Sequence, residues 1–381
     1  MSAADTTTLR LLRLVQNQVQ VGQPLPFGVR DEHGKLLLAR GQVIQDQDQL
    51  DALLERGAYV DAEELRKAKG GKSDDAPARA LTLFDSWEQM IWRLDRLLRG
   101  IGDPGFPQRA DELARAFVAL VQRDPDIAIY FAVRQDPRRL ALYGLTHSLH
   151  TALACLLVAQ RMNMEEASQL SLLKAAMTMN LAIVELQGRL AAHGNRPTEQ
   201  QRQALAAHPQ AAALALAAAG VTDEDWLAAV AMHHERPDGR GYPNGVALTH
   251  PLGAMLRKTD VFMAKISPRA QRPAQTVQEA ERQLFAEEGG SPFAAALVKE
   301  FGIHPPGAFV QLKSGEAAVV VRRGATVGTP LVAAITNRDG MPIVDTVRRD
   351  TSRAEFAIAG PARNQRAVLR VPPERLFGLV S

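Results

Sequence analysis

The first part of the chain alternates apolar and polar residues with the spacing of strands. Extended stretches within QVQVGQPLPFGVRDEHGKLLLARGQVI flank Asp31-Glu32-His33-Gly34, a turn-rich tetrad with glycine where a hairpin needs it. A short helical pattern, DQDQLDALLERG, and the strand-like AYV follow. We therefore predict a small β-rich module over residues 1–66.

The pattern changes twice further along the chain. RKAKGGKSDDAPARA is polar and contains Gly-Gly, which predicts a linker over residues 67–80. Over residues 81–305 the apolar positions recur at three and four, as in LFDSWEQMIWRLDRLL, which predicts a series of amphipathic helices.

Strand spacing returns after GIHPPG. AFVQLKSGEAAVVVRRG and TPLVAAITNRDGMPIV alternate and are punctuated by Ser-Gly and Asp-Gly turns, so residues 306–381 are predicted to form a C-terminal β module. The predicted fold class is mainly α, a helical domain flanked by two small β-rich modules.

Composition narrows the class of protein. Apolar residues make up 46% and aromatic residues only 5% of the chain, which favours helices, and the formal charge of +3 comes from interspersed residues. Binding to a nucleic-acid duplex is therefore not expected. We see no apolar run near the roughly 20 residues that span a bilayer and no signal peptide, so we expect a cytoplasmic protein without a membrane span. Cys155, the single cysteine, lies in an apolar run and is predicted to be a buried, inert thiol.

One short segment carries the strongest chemical signal. Adjacent histidines at a helix end, followed by a Gly- and Pro-rich loop, suit metal ligation or recognition. The segment is His233-His234-Glu235-Arg236-Pro237-Asp238-Gly239-Arg240-Gly241-Tyr242-Pro243. It resembles the signature of the HD-GYP family, the cyclic di-GMP phosphodiesterase branch of the HD superfamily, whose members are helical and hold two or three metal ions. The resemblance covers about residues 125–320, and the flanking modules resemble those that accompany the family.

The resemblance implies further site residues. His147 in LTHSLHTA, His208 in AAHPQ and Asp260 in RKTDVF match metal ligands of the family, together with His233 and His234. For His147 alone, a core histidine satisfied by one hydrogen bond is the favoured interpretation, and the order that these residues share with the family along the chain favours the ligand instead. In SPRAQRP, two arginines match residues that hold substrate phosphates, which suits a guanidinium fork, although an exposed arginine pair is otherwise unremarkable. They are Arg269 and Arg272.

The chain departs from the family at the motif that names it. Active members have Ala-Ala-x-x-His-Asp-Ile-Gly-Lys, whereas this chain has Met179 for the histidine, Asn180 for the aspartate and Ile183 for the lysine. The aspartate bridges two metal ions that activate a water, and a neutral amide cannot supply that charge. A thioether is a soft ligand that matches hard or borderline ions poorly.

These losses predict that no catalytic set is intact and that the chain does not hydrolyse cyclic di-GMP. His208, His233 and His234 could still hold one ion, since three histidines bind zinc with an open position. We therefore expect no metal cofactor, or at most one divalent ion of iron, manganese or zinc. A metal-free polar cluster under the loop is the alternative.

The loop itself is a candidate binding surface. Loops on a rigid scaffold often carry binding, and in the family this loop is associated with docking of GGDEF-type domains. The residues assigned to partner binding are Glu235, Arg236, Asp238, Gly239, Arg240, Gly241, Tyr242 and Pro243. The alternative is that the glycines and the proline merely shape a tight connection after a helix.

Three functions stay open from the sequence. The first is a binding module that senses cyclic di-GMP or docks a partner such as a GGDEF protein. The second is a metal-dependent cyclic di-GMP phosphodiesterase with a remodelled site. The third is a dimerisation scaffold, with a homodimer built on long amphipathic helices such as residues 82–100.

Overall fold

A computed structural model of the chain has two compact units, Met1–Ala80 and Leu81–Ser381. The structure describes residues 9–12, 19–30, 36–55, 58–61, 64, 82–247, 250–324, 326, 328–362, 371 and 373–378. The predicted linker over residues 67–80 and the predicted turn at residues 31–34 lie outside these ranges. The three-domain division of the chain stays a prediction.

The first unit contains a four-stranded antiparallel sheet with the strand order β1-β4-β2-β3. Its elements are β1 (Leu9–Leu11), β2 (Val29–Arg30), β3 (Leu36–Leu38), α1 (Gln47–Glu55) and β4 (Tyr59–Asp61). Phe27, Val29, Ile44 and Val60 are fully buried and form the centre of its core. The β-rich character predicted from alternation is confirmed.

The second unit is mostly helical, as the three-and-four spacing predicts. Its helices are α2 (Leu83–Arg99), α3 (Phe106–Arg123), α4 (Pro125–Val133), α5 (Tyr143–Arg161), α6 (Glu166–Thr178), α7 (Val184–His193), α8 (Glu199–Ala218), α9 (Glu224–Met232), α10 (Pro251–Ile266), α11 (Val277–Glu287), α12 (Pro292–Phe301) and the short α13 (Pro373–Phe377). Capping boxes begin α2, α8 and α11 at Thr82, Thr198 and Thr276, where side chains satisfy the free N–H groups of the first turn.

The apolar face of α2 packs inside its own unit. Phe84, Trp87 and Leu94 are buried, and the ring of Trp87 meets the ring of Phe117 edge to face at 5.5 Å. This face therefore contributes to the core rather than being left for a second copy of the chain. The long amphipathic helix that suggested a dimerisation scaffold therefore no longer supports that hypothesis, and a homodimer stays a prediction.

A five-stranded antiparallel sheet with the order β8-β7-β6-β5-β9 packs against the helices. Its strands are β5 (Phe309–Leu312), β6 (Ala317–Arg322), β7 (Leu331–Thr336), β8 (Pro342–Asp350) and β9 (Ile358–Pro361). Val319 and Val321 join the large helical core on one face of the sheet, whereas Val320 and Val332 pack with Phe356 on the other. The mainly α fold class with flanking sheets is confirmed.

Two helical segments of the second unit resemble membrane spans by length and composition. They are Arg139–Arg161 and Glu166–His193, and 83% and 61% of their apolar windows are buried within the protein. Core helices of a folded domain pass the same test, so the two segments are weak support for a membrane span.

Candidate functional site

Three histidines from two helix regions meet in the second unit. His208 lies in α8, and His233 and His234 follow the end of α9. Each offers one ring nitrogen, and the three nitrogens lie within 4.8 Å of one another. The Nε2 atoms of His208 and His233 are 3.2 Å apart.

The proline after His208 explains how that ring is oriented. Pro209 lies inside α8 and has no N–H, so the carbonyl of Leu205, four residues earlier, lacks its helical donor. Nδ1 of His208 lies 2.6 Å from this carbonyl oxygen and donates to it. The proton is thereby fixed on Nδ1, and the lone pair of Nε2 faces the other histidines.

His233 is oriented by a helix end in the same way. Its Nδ1 lies 2.7 Å from the carbonyl oxygen of Val230 and donates to it. This carbonyl is in the last turn of α9, where the backbone leaves acceptors free. Both Nε2 atoms are then acceptors that face each other, an arrangement that only a shared cation or proton makes favourable.

The three imidazoles are neutral at pH 7. Burial, followed by the neighbouring histidines, lowers the pKa of His208 to about 4, that of His233 to about 4 and that of His234 to about 3. Neutral imidazole is the form that ligates metal.

The donor chemistry suits one divalent ion at His208 and His233, with the nitrogen of His234 within 4.8 Å of theirs. Two nitrogens bound to a tetrahedral zinc at about 2.0–2.1 Å lie roughly 3.3–3.4 Å apart, close to the observed 3.2 Å. Imidazole suits zinc or iron better than manganese, which prefers oxygen ligands.

His147 and Asp260 form a buried pair close to this cluster. Nε2 of His147, on α5, lies 2.7 Å from Oδ1 of Asp260 on α10. Burial acts to raise the pKa of Asp260, but the hydrogen bond and charge of His147 outweigh it and hold the pKa well below its usual range. The charge of Asp260 also reaches the three clustered histidines. All five predicted ligand residues are thus brought into one region.

The residues that replace the histidine, aspartate and lysine of the family motif are uncharged and buried. Met179 follows α6 directly, and Asn180 precedes a single 3-10 turn, Leu181–Ile183, which packs against α8. Met179, Asn180 and Ile183 are 0%, 2% and 4% exposed. The segment therefore brings no charged side chain to the region where the family resemblance implies one.

Glu235, assigned from the sequence to the partner-binding loop, is fully buried. Its Oε1 accepts from the backbone N–H of Asn244 at 2.8 Å, and its Oε2 accepts from that of Val246 at 3.1 Å. A carboxylate that satisfies two loop amides fixes the loop in place and is not available to a partner. The assignment of Glu235 is corrected from a surface contact to a loop clamp.

The loop also packs onto the histidines. The ring of Tyr242 stacks on His234 with centroids 4.5 Å apart, and its backbone N–H donates to the carbonyl of His234. A Cβ at Gly241 would lie 2.4 Å from the Cα of Glu235, so only glycine fits there. Gly241 has a structural role, and Tyr242, which is 39% exposed, covers the cluster.

The outer part of the loop is exposed. Arg236 pairs with Asp238 through two contacts of 3.0 Å, and Asp238 also accepts from the backbone N–H of Arg240. Gly239 has a φ of 69°, which glycine adopts readily. Pro243, which follows Tyr242, is half-buried, and partner binding by this surface stays a prediction.

The two predicted phosphate arginines lie next to each other after α10. Their backbones are hydrogen-bonded, with the N–H of Arg269 donating to the carbonyl of Arg272 at 2.9 Å. The side chain of Arg272 donates to the carbonyl of Ala264, and that of Arg269 donates to the hydroxyl of Tyr143. Tyr143 was missed from the sequence, although its position four residues before His147 places it on the same helix face.

Comparisons with known proteins agree with this architecture. Residues 135–291 match the family model described as HD domain. A protein of Pseudomonas aeruginosa named as a cyclic di-GMP phosphodiesterase is 36% identical over 124 residues, which are 30% of this chain and 29% of that relative. This chain thus matches less than a third of the relative's length.

A solved structure gives a likeness over more of the chain. The HDG"Y"P protein from Bdellovibrio bacteriovorus superposes with a TM-score of 0.52 at 13% identity, covering 77% of this chain and 98% of that one. At this identity the likeness concerns the fold alone.

Proposed function

We propose that the chain, whose residues 135–291 match the family model described as HD domain, is a binding protein that recognises cyclic di-GMP without cleaving it. The observation that carries the proposal is that Met179, Asn180 and Ile183, all buried, bring no carboxylate and no lysine to a site that still has its histidines.

The geometry supports one ion rather than two. A dinuclear centre needs a bridging anion to hold two cations a few ångströms apart, and Asn180 is neutral. His208, His233 and His234 would hold a single ion, which would supply positive charge for a phosphate oxygen. The side chains of Arg269 and Arg272 add two further cations on the exposed rim.

Cyclic di-GMP is proposed as the ligand on the strength of the similarity to the Pseudomonas aeruginosa relative. Its two phosphodiesters suit guanidinium groups, which bind phosphate through paired N–H donors. A remodelled phosphodiesterase is the alternative, and it is favoured by His147, the histidine cluster and Asp260, which follow one another along the chain in the order that the family resemblance implies.

Docking of a partner through the loop is a second candidate function. The exposed side chains of Arg236, Arg240 and Tyr242 support it, since aromatic and arginine residues are enriched in binding interfaces. A GGDEF-type domain as the partner, like the cytoplasmic location, stays a prediction.

Calorimetric titration with cyclic di-GMP tests the proposal. Purified protein of measured metal content should bind the nucleotide. Arg269→Ala should weaken binding by about tenfold, because a hydrogen bond to a charged group contributes about 1.5–3 kcal/mol. Arg282→Ala, which removes an exposed arginine of α11, is the matched control and should leave the Kd unchanged. Absence of binding by the unmodified protein would refute the proposal and leave the loop as the candidate surface.

A further inference from the structure

Tyr143 connects the exposed arginine rim to the buried His147–Asp260 pair. It is the first residue of α5 and is 4% exposed. Its ring lies nearly parallel to the imidazole of His147, with centroids 5.2 Å apart and an interplanar angle of 8°. On its other side, the hydroxyl accepts from Nη2 of Arg269 at 2.7 Å.

Arg269 is held by this tyrosine from two directions. Its guanidinium carbon also lies 4.9 Å from the centroid of the Tyr143 ring, within the range of a cation–π contact. Among the residues that the structure describes, no carboxylate forms an ion pair with Arg269 or Arg272. The positive charge of Arg269 is therefore oriented by a neutral group and is not neutralised.

We propose that Tyr143 is a positioning residue that holds the guanidinium of Arg269 in the orientation that binds a phosphate group. The inference rests on the proposed function in taking that phosphate to belong to cyclic di-GMP. One N–H is committed to the tyrosine, which fixes the plane of the fork and leaves the remaining donors for a ligand. A free arginine would instead lose rotamer freedom on binding, and this entropy loss would weaken the complex.

The chemistry of the phenol suits this role. Burial raises the pKa of Tyr143 above its ordinary value even though Arg269 acts in the opposite direction, so the group is a neutral phenol at pH 7. A neutral acceptor orients the arginine without competing with a phosphate for its charge, as a carboxylate in this position would.

A double-mutant cycle separates positioning from a merely structural role. Tyr143→Phe keeps the ring against His147 and removes only the hydroxyl, and Arg269→Ala removes the positioned group. The variants are titrated by calorimetry with cyclic di-GMP and with pyrophosphate. Tyr143→Phe should weaken both ligands by about fivefold, the value of one modest hydrogen bond. In the Arg269→Ala background the same substitution should have no further effect.

Tyr130→Phe is the matched control. Tyr130 is also 4% exposed, but its ring packs against Phe84 and Phe377 in the core, apart from the arginines. This substitution should leave both affinities unchanged, and Tyr143→Phe should retain the zinc content of the unmodified protein.

The outcomes separate the two proposals. The protein could bind pyrophosphate but not cyclic di-GMP, with Tyr143→Phe having no further effect in the Arg269→Ala background. This result would refute cyclic di-GMP as the ligand and keep the role of Tyr143. Unchanged affinities in Tyr143→Phe, or losses that add in the double variant, would overturn the role of Tyr143 and keep the nucleotide. No binding of either ligand by the unmodified protein would overturn both.

Discussion

Replacing Glu235 with glutamine should loosen the loop over residues 236–247 while the surrounding helices stay folded. The carboxylate is fully buried, and each of its oxygens accepts one backbone N–H, from Asn244 and Val246. Glutamine keeps one acceptor and turns a donor toward the other amide. One charge-assisted hydrogen bond is lost, and one loop N–H then faces a donor instead of an acceptor.

The size of the effect follows from this loss. A hydrogen bond to a charged group contributes about 1.5–3 kcal/mol, so the loop should open more easily by about 2 kcal/mol. This value corresponds to roughly a 30-fold larger opening equilibrium, since each 1.4 kcal/mol is a factor of ten. Amide exchange reports such local opening.

Hydrogen–deuterium exchange of the loop peptide is the assay. Glu235→Gln should speed exchange of the Asn244 and Val246 amides by about the same 30-fold factor, with the core helices unaffected. Glu224→Gln, the same change at an exposed residue in the first turn of α9, is the control. Equal protection of the loop in Glu235→Gln and the unmodified protein would refute the clamp.

Two further predictions concern the histidines. The pKa values of His208, His233 and His234 are lowered to about 4, 4 and 3, so the unfolded chain binds more protons below its ordinary histidine pKa near 6.5. The stability contributed by the neutral histidines is present above that pH and is lost as pH falls toward 4. The urea concentration at the midpoint of unfolding should therefore fall as the pH is lowered from 6.5 to 4. A midpoint that does not change over this pH range would contradict the burial of the three histidines as neutral rings. Pro209→Ala should raise the melting temperature, because proline inside a helix costs up to about 3 kcal/mol relative to alanine. The restored N–H competes for the carbonyl that orients His208, so zinc affinity measured by competition with a chelator should fall by about tenfold. An unchanged affinity would show that the carbonyl accepts from both the restored N–H and Nδ1 of His208.

The helical architecture could be predicted because its signals are local. Spacing of apolar residues at three and four indicates the helices, and strand-like spacing indicates strands in both β modules, although β1 and β9 lie outside the segments that carry this pattern. The resemblance carried by the HHExxDGxGYP segment is confirmed by the match to the HD domain family.

The association of the C-terminal sheet with the helices could not be predicted in the same way. Alternation identified β6 as a strand, but both faces of AAVVV are apolar. Val319 and Val321 enter the helical core while Val320 faces a second, smaller core. Which apolar face meets which partner depends on tertiary packing and is not encoded in the spacing.

The detailed contacts of the site depend on groups that sequence patterns do not specify. The resemblance indicated His208, but its orientation comes from a backbone carbonyl that Pro209 leaves free. The motif places Glu235 in a loop but does not show which way its side chain turns after the helix ends, and the carboxylate is buried. The contact of Tyr143 with Arg269 joins residues 126 positions apart and could not be read from either segment.

A single-turnover incubation shows whether the protein binds cyclic di-GMP without cleaving it. Protein loaded separately with iron, manganese or zinc is mixed in molar excess over cyclic di-GMP, and the nucleotides are then separated by chromatography. We expect the nucleotide to be retained by the protein and recovered intact with every metal. Metal-dependent appearance of the linear dinucleotide pGpG or of GMP would contradict it and establish a remodelled phosphodiesterase.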